Sequence, residues 1–361
     1  MDIYSKIDFK VCIQCMTFNH AQFIEDAMNG FSIQETNFPF VAVIMDDASK
    51  DGEPEIIKQY LHEHFDLENK EIVRNEETDD YIMTFARHKE NHNCYFAVYL
   101  LKYNHYSTKK NKSPYYEVLE KSATYIAICE GDDYWIAEDK LQRQVSFLDS
   151  NEEYGMVYTD YDQKNEITGT YTKAMLNNGY RPIIKSFEEH LVNKGYIAPM
   201  SWVYRKKYKD ISMNYNGPNS IDETFIFALE MFLATKIYYE STVTCIYRVH
   251  IGSATNQTNP KKRDIYSQGV YDTQMYYLKK YNLQERYPSC CDYYYRSYYC
   301  YFLANNNTEM YQNIKGFFKR EMNKTNKYFL FYHLMNTRLG TLILQLICKT
   351  RLSKAFFFYR K

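Results

Sequence analysis

The sequence contains little glycine and proline, the residues that interrupt regular secondary structure, with 12 glycines and 8 prolines among 361 residues. A collagen-like repeat is therefore excluded, and no long flexible linker is expected. No run of about 18 apolar residues is present, so we expect no membrane-spanning helix. The first ten residues, MDIYSKIDFK, are polar and unlike a secretory signal. Together with an odd number of cysteines, 9, this predicts a reducing, cytoplasmic compartment.

Two of the cysteines, Cys12 and Cys15, have the C-x-x-C spacing found in zinc and redox sites. They lie inside an apolar, strand-like run, and the sequence offers no second pair at a matching spacing. We therefore predict that both are buried free thiols rather than metal ligands or a redox couple.

Acidic residues are absent from the end of the chain. The net charge of −1 argues against a general nucleic-acid binder, but no Asp or Glu follows Glu321. Eight Lys and Arg residues follow it, around an apolar stretch at 339–348 that is too short to span a bilayer. This pattern predicts docking on an anionic membrane surface, at the inner face of the plasma membrane. The alternative is that the helices of this C-terminal region pack on the rest of the chain, or on a second copy of the chain in a homodimer.

Strand and helix patterns alternate along the first half of the chain. Strands are predicted at residues 9–16, 40–45, 71–74, 96–103 and 124–129, and helices at 20–33, 51–64 and 113–122, the last capped by Ser113. The stretch 78–111 is interpreted as a long, polar insertion. Further on, strands at 196–204 and 236–250 flank a helix at 222–236, and from about residue 264 only helices follow, with a turn at 305–307. This alternation predicts an α/β fold with a mainly parallel sheet.

Two acidic clusters each follow an apolar strand, MDDASKDG at 45–52 and CEGDDYW at 129–135. Ligands of open parallel sheets bind beyond the carboxyl ends of the strands. A carboxylate there can accept hydrogen bonds from a ribose or base, or hold a hard divalent cation. The alternative is that Asp46, Asp47, Asp132 and Asp133 are turn and helix-cap residues. Two such clusters on one α/β sheet favour a functional site.

Four segments resemble family 2 glycosyltransferases, the inverting, nucleotide-sugar-dependent enzymes with the GT-A fold. They are CMTFNHAQFIEDAMNGFSIQ, IMDDASKDG, YIAICEGDDYWIAEDKLQRQVSFL and YRVHIGSAT, and the resemblance covers residues 10–255. The third segment, which contains the DxD motif in a form with Glu as the first acid, is the most specific. The resemblance implies a GT-A domain at 1–258, with a Rossmann-like mixed sheet flanked by helices. A helical C-terminal region with a basic, apolar tail would occupy 259–361.

The resemblance also implies roles for individual residues. Contacts to the nucleotide are expected from Thr17, Asn19, Asp46 or Asp47, Glu130 and Asp132. Asp132, the last acid of the motif, would ligate Mg²⁺ or Mn²⁺ bridging the diphosphate, with His250 near the diphosphate or the metal. The general base is expected at the start of the helix at 222–236, where Asp222 matches best and Glu223 is the alternative. Asp222 could instead simply cap that helix.

The expected function is transfer of one sugar from a UDP-sugar, with inversion, to a glycan or lipid-linked acceptor in bacterial cell-surface polysaccharide synthesis. The QxxRW motif of processive synthases is absent, which favours transfer of a single sugar. A sugar-nucleotide nucleotidyltransferase is a second interpretation, but it would need a glycine-rich phosphate loop, and the first turn, Thr17 to His20, has no glycine. A non-catalytic sugar-binding relative is a third, but it would be expected to lose the acidic residues.

Overall fold

The structure is a computed structural model that describes residues 7–194, 197–218, 222–252, 260–287, 289–290, 308–323 and 326–349. It divides into two compact units. The first is drawn from Met1–Phe187, Gly195–Tyr215 and Thr224–Asn256, and the second from Glu188–Lys194, Asn216–Glu223 and Gln257–Lys361. Both units take segments from before residue 258, so the expected domains 1–258 and 259–361 stay a prediction.

Twelve strands of the first unit form one mixed sheet. They are β1 (Val11–Thr17), β2 (Phe40–Asp46), β3 (Phe65–Asp66), β4 (Arg74–Glu77), β5 (Tyr81–His88), β6 (Cys94–Leu101), β7 (Tyr125–Ile128), β8 (Tyr134–Trp135), β9 (Tyr154–Asn165), β10 (Thr170–Thr172), β11 (Val203–Arg205) and β12 (Lys236–Val249). The order is β3-β5-β6-β2-β1-β7-β11-β9-β12-β8, with β10 on β9 and β4 on β5. The central strands β6, β2, β1 and β7 are parallel.

Helices connect these strands and continue into the second unit. They are α1 (Ile24–Ser32), α2 (Glu53–His64), α3 (His105–Thr108), α4 (Ser113–Glu120), α5 (Lys140–Ser150), α6 (Phe187–Asn193), α7 (Glu223–Ala234), α8 (Pro260–Lys280), α9 (Thr308–Glu321), α10 (Asn326–Met335) and α11 (Arg338–Lys349). The α/β class is therefore confirmed, and so are the helices expected after residue 264. Residues 305–307 and the basic tail beyond 349 lie outside the described residues.

The central strands are apolar on both faces because the sheet is covered on both sides. Alternate residues enter different core clusters, Ile13 and Cys15 on one face, Cys12 and Val41 on the other. Cys12 and Cys15, three residues apart on one strand, therefore point to opposite faces and cannot share a metal ion. Both are free and buried, which confirms the prediction for this pair.

Several predicted elements are wrong or displaced. The strand predicted at 71–74 begins only at Arg74, because the backbone N–H groups of Ile72 and Val73 donate to the carbonyl of Asn69 in a turn. The stretch 78–111, predicted to be a polar insertion, contains β5, which pairs with β6 because Met83 and Phe85 enter one core cluster and Ala86 the other. Ser113 does not cap α4 but begins it, without a side-chain cap.

The strand predicted at 196–204 is reduced to β11. A 3-10 turn at Pro199–Ser201 precedes it, because Ser201 and Trp202 donate back to the carbonyls of Ala198 and Pro199. Among the described helices, none combines the length and the apolar composition needed to cross a membrane.

Candidate active site

The carboxyl ends of β1, β2 and β7 bring the two acidic clusters to one edge of the sheet. Thr17 and Asp46 are the last residues of β1 and β2 and pair directly, and Glu130 follows β7 by two residues. The N–H of Gly131 donates to the carbonyl of Met16 (3.1 Å), which ties the β7 loop to β1. The common edge predicted from the two strand ends is therefore present.

The turn after β1 is locked to the turn after β2 through Asn19. Its backbone has a φ of 56°, in the left-handed region that Asn tolerates better than most residues. Its N–H donates to Ser49 Oγ (2.7 Å), and its side-chain carbonyl accepts from the N–H of Lys50 (3.0 Å). α1, predicted from residue 20, begins only at Ile24, after a turn in which the N–H groups of Phe23 and Ile24 both donate to the carbonyl of His20.

The two aspartates at the end of β2 have different partners. Asp47 is buried and accepts from the N–H groups of His105 (2.6 Å) and Tyr106 (3.0 Å) and from Lys112 Nζ (2.8 Å). It therefore holds the start of α3 and behaves as the turn residue of the alternative interpretation. Asp46 accepts from the N–H of Ser49 (3.2 Å), and burial raises its pKa to about 6.

A buried carboxylate that the sequence analysis missed lies behind this edge. Glu53, the first residue of α2, is 0% exposed and accepts from Thr17 Oγ1, from the N–H of His20 (2.8 Å) and from Ser49 Oγ (2.8 Å). Thr17 Oγ1 also lies 3.2 Å from His20 Nδ1. The Thr17 hydroxyl, expected at the nucleotide, is thus engaged inside the protein, and its contact to the nucleotide stays a prediction.

The acidic loop after β7 passes close to Thr17. A Cβ on Gly131 would lie 2.2 Å from Thr17 Oγ1, which explains a glycine between the two acids. Glu130 is exposed, yet loss of hydration to the surrounding protein, together with the charge of Asp132, raises its pKa to about 7. Asp133 is buried and accepts from the N–H of Arg248 (2.8 Å). Burial, reinforced by the Asp132 charge, raises the pKa of Asp133 well above its usual range.

Asp132 faces two histidines from distant parts of the chain. Its Oδ2 lies 2.9 Å from His250 Nε2 and 4.0 Å from His20 Nε2. Burial opposes ionisation of Asp132, but the His250 hydrogen bond and the two imidazoles outweigh it and hold its pKa below the usual value. The bond to Asp132 raises the pKa of His250, against the opposing effect of burial.

These three side chains fit a divalent cation. One ligand atom from each of His20, Asp132 and His250 lies within 4.8 Å of the other two. Asp132 Oδ1 is buried and has no hydrogen-bond partner within the described part of the chain. An orphaned carboxylate oxygen beside two imidazoles is costly unless a ligand satisfies it. His250 was predicted at the metal, whereas His20 was not, although it follows the Thr-Phe-Asn turn that the analysis singled out.

Arg248 fixes the backbone of the loop after β7, which contains Asp132. Its side chain is 1% exposed, and Nη1 donates to the carbonyl oxygen of Asp132 (3.0 Å). The same guanidinium pairs with Asp26 of α1 and with Glu166 (3.2 Å from Nε), and it lies over the ring of Tyr134 at 4.2 Å. It thereby joins β12, α1 and the β7 loop around Asp132.

The two candidate bases belong to the second unit. Asp222 immediately precedes α7, where its Oδ2 accepts from the hydroxyl of Tyr266 and lies 3.1 Å from Lys194 Nζ. Lys194 in turn donates to the Tyr266 hydroxyl (2.5 Å). Asp222 is thus mostly buried in an ion pair, whereas Glu223 is exposed.

Comparisons with known sequences agree only over part of the chain. No profile of a protein family matches it. It is 27% identical over 208 residues to Rv1520 of Mycobacterium tuberculosis and to Mb1547 of Mycobacterium bovis, both described as uncharacterized proteins. The match covers 56% of this chain and 49% of theirs, so the chain spans about half the length of these relatives.

Comparison with solved structures identifies the fold. Residues 1–349 of S. aureus TarS align with a TM-score of 0.55 at 13% identity, over 94% of this chain and 91% of that chain. The complexes of the same protein with UDP-GlcNAc and with UDP give 0.54 and 0.52. TarS is a family 2 glycosyltransferase of the GT-A type. The chain therefore has the GT-A glycosyltransferase fold, as the sequence motifs led us to expect.

Proposed function

We propose that the chain is an inverting glycosyltransferase that moves one sugar from a UDP-sugar to a glycan or lipid-linked acceptor in bacterial cell-surface polysaccharide synthesis. The observation that carries this proposal is the cluster of Asp132, His250 and His20 at the carboxyl edge of a GT-A sheet. The UDP and UDP-GlcNAc complexes of TarS support a uridine nucleotide as the leaving group. A non-catalytic relative would not need a buried carboxylate oxygen that has no hydrogen-bond partner among the described residues, as Asp132 Oδ1 is.

Asp132 and His250 would hold Mg²⁺ or Mn²⁺. When bound, the cation neutralises the charge that develops on the leaving diphosphate. The chain contributes the Asp132 carboxylate, in a loop whose backbone Arg248 holds in place. Glu130, exposed at the same edge, would face the nucleotide rather than the core.

The nucleoside would be bound beyond β2. Asp46 is the better acceptor for a base or ribose, because Asp47 is already bonded to three protein donors. Asn19 would contribute by holding the two neighbouring turns together.

Asp222 would take the proton from the acceptor hydroxyl as that oxygen attacks the anomeric carbon opposite the leaving nucleotide. Lys194 and Tyr266 hold its carboxylate in one orientation, which suits a positioned base. Glu223 remains the alternative, since its exposed side chain could also reach an acceptor.

Two experiments test the proposal. UDP is titrated calorimetrically into chelator-treated protein with and without Mn²⁺. We expect tighter binding with Mn²⁺ and loss of that gain in Asp132→Asn, and equal affinity under both conditions would overturn the metal role. Release of UDP from a panel of UDP-sugars is then measured with an acceptor extract. Asp222→Asn should lower turnover on the order of 10²-fold or more with UDP affinity unchanged. Near-normal turnover in Asp222→Asn with an inactive Glu223→Gln would move the base to Glu223.

A membrane-bound acceptor would explain the exposed apolar face of α11, the last helix among the described residues. The side chains that α11 exposes on one face are aliphatic, namely Leu339 (70%), Leu342 (49%), Ile343 (41%) and Leu346 (64%). Five Lys and Arg residues and no acid occur from Lys349 to the end of the sequence. Aliphatic side chains that enter the lipid interface beside cations that meet anionic head groups are typical of interfacial helices. The enzyme would therefore dock on the anionic inner face of the plasma membrane.

A further inference from the structure

The imidazole of His20 is oriented by hydrogen bonds that run through Thr17 to the buried Glu53. We propose that His20 is a third protein ligand of the metal, oriented by Glu53 through the hydroxyl of Thr17, and that the resulting site prefers Mn²⁺ to Mg²⁺. This inference rests on the metal site of the proposed function and assigns it one further ligand, two positioning residues and a selectivity.

The direction of the hydrogen bonds fixes the tautomer of His20. The Thr17 hydroxyl donates its single proton to Glu53 Oε1. The Thr17 oxygen can then only accept from His20 Nδ1, 3.2 Å away. Nδ1 therefore carries a proton, which leaves Nε2, the nitrogen on the side of Asp132, as the one that can bind a metal ion. The N–H of His20 also donates to Glu53 (2.8 Å), so the backbone and the ring are held by one buried group.

His250 is oriented in the same sense from the other side. Its Nδ1 lies 3.0 Å from the carbonyl oxygen of Ile251, which can only accept, so Nε2 is the nitrogen directed at Asp132. The two imidazole rings meet edge to face, with centroids 5.6 Å apart. Metal-ligating histidines characteristically donate their other N–H to a carbonyl or a carboxylate-linked group, and both rings do so here.

The donor set has a consequence for metal choice. Mg²⁺ is held in proteins through oxygen, whereas first-row transition metals accept imidazole nitrogen readily. Two imidazoles and one carboxylate therefore favour Mn²⁺ over Mg²⁺, a choice that the motifs alone leave open.

The test measures metal binding on the full chain without nucleotide or acceptor. Mn²⁺ and Mg²⁺ are titrated separately into wild type, His20→Ala, Thr17→Val and Thr17→Ser, with Asp132→Asn as the site-null variant. His62→Ala is the matched control, because His62 is an exposed histidine on α2. Electron spin echo modulation of bound Mn²⁺ then counts the coordinated imidazole nitrogens.

We expect two imidazole nitrogens on Mn²⁺ in wild type and one in His20→Ala. Mn²⁺ affinity should fall by about 10–100-fold in Thr17→Val, as for loss of an outer-shell partner, and at least as much in His20→Ala. Mg²⁺ affinity should change far less, and Thr17→Ser, which keeps the hydroxyl, should retain the wild-type preference. His62→Ala should match wild type.

Distinct results separate the failure of this inference from the failure of the metal site. If Asp132→Asn loses Mn²⁺ but His20→Ala keeps the wild-type affinity and nitrogen count, His20 is not a ligand and the inference is overturned. If Asp132→Asn binds Mn²⁺ as wild type does, the proposed metal site itself is wrong. Should Thr17→Val fail to fold, the nitrogen count in His20→Ala still decides the assignment of His20.

Discussion

Replacing Asp46 with Asn should stabilise the protein, and stabilise it more as the pH rises. Asp46 is 1% exposed at the end of β2 and accepts from the N–H of Ser49. Burial raises its pKa from 3.8 to about 6. An Asn side chain has nearly the same shape and can still accept that hydrogen bond, but it carries no charge.

The sign follows from the direction of the pKa shift. Because folding raises the pKa of this acid, the charged carboxylate opposes folding. The cost is absent below pH 3.8, develops between there and pH 6, and is complete above that. The folded and unfolded values differ by about two units, and each unit corresponds to about 1.36 kcal/mol, so the full cost is roughly 3 kcal/mol. The gain from Asp46→Asn should therefore be roughly 3 kcal/mol at pH 8 and about half of that at pH 5.

Tryptophan fluorescence is a suitable probe for this measurement. The sequence has two tryptophans, Trp135 and Trp202, and both are 1% exposed in the first unit, which also contains Asp46. Urea unfolding of wild type and Asp46→Asn is compared at pH 5 and pH 8, with Asp79→Asn as the exposed control on the same unit. A gain that is absent at pH 8, or that is equal at both pH values, would refute the reasoning.

Three further perturbations follow from the same geometry. Arg248→Lys cannot reproduce the contacts to Asp26, Glu166 and the Asp132 carbonyl, and should cost about 1–3 kcal/mol in urea unfolding; an unchanged midpoint contradicts this. Gly131→Ala places a methyl group against the Thr17 hydroxyl and should weaken Mn²⁺ binding by about 10–100-fold in calorimetry, whereas wild-type affinity would show that the loop adapts freely. The double variant Leu339→Glu and Leu346→Glu should no longer float with anionic liposomes at low salt. If it floats as wild type does, α11 is not the membrane anchor. If the variant sediments with half the mass of wild type, the partner of α11 is instead a second copy of the chain.

The sequence predicted the parts of the site that are local in the chain. Asp46 and Asp132 each lie at the end of an apolar strand in the sequence. Parallel strands bring such ends to one edge of the sheet, so the position of both residues at that edge could be inferred. Asp47 shows the limit of that inference, because its adjacent position says nothing about Lys112 and α3, which occupy its carboxylate.

The remaining features depend on tertiary contacts that spacing does not encode. In the sequence, Glu53 is an ordinary acidic residue in the first turn of α2. Only the fold brings it within hydrogen-bond distance of Thr17 and His20. His20 and His250 are separated by most of the first unit in sequence, so their common approach to Asp132 has no local signal. The same is true of β5, in which the adjacent residues Phe85 and Ala86 are both buried, so the strand lacks a clear period-two pattern that would have identified it within residues 78–111.

Each of the two hydrogen bonds between Arg248 and the loop after β7 has a main-chain group at one end. Arg248 bonds the carbonyl oxygen of Asp132, and its own N–H bonds the neighbouring Asp133, so neither contact uses the Asp132 carboxylate. The loop can therefore keep its path when the residue at position 132 changes. Substitutions there would change the proposed metal ligand while the contacts of Arg248 to the loop remain, which leaves this position open to evolutionary change within the same sheet and helices.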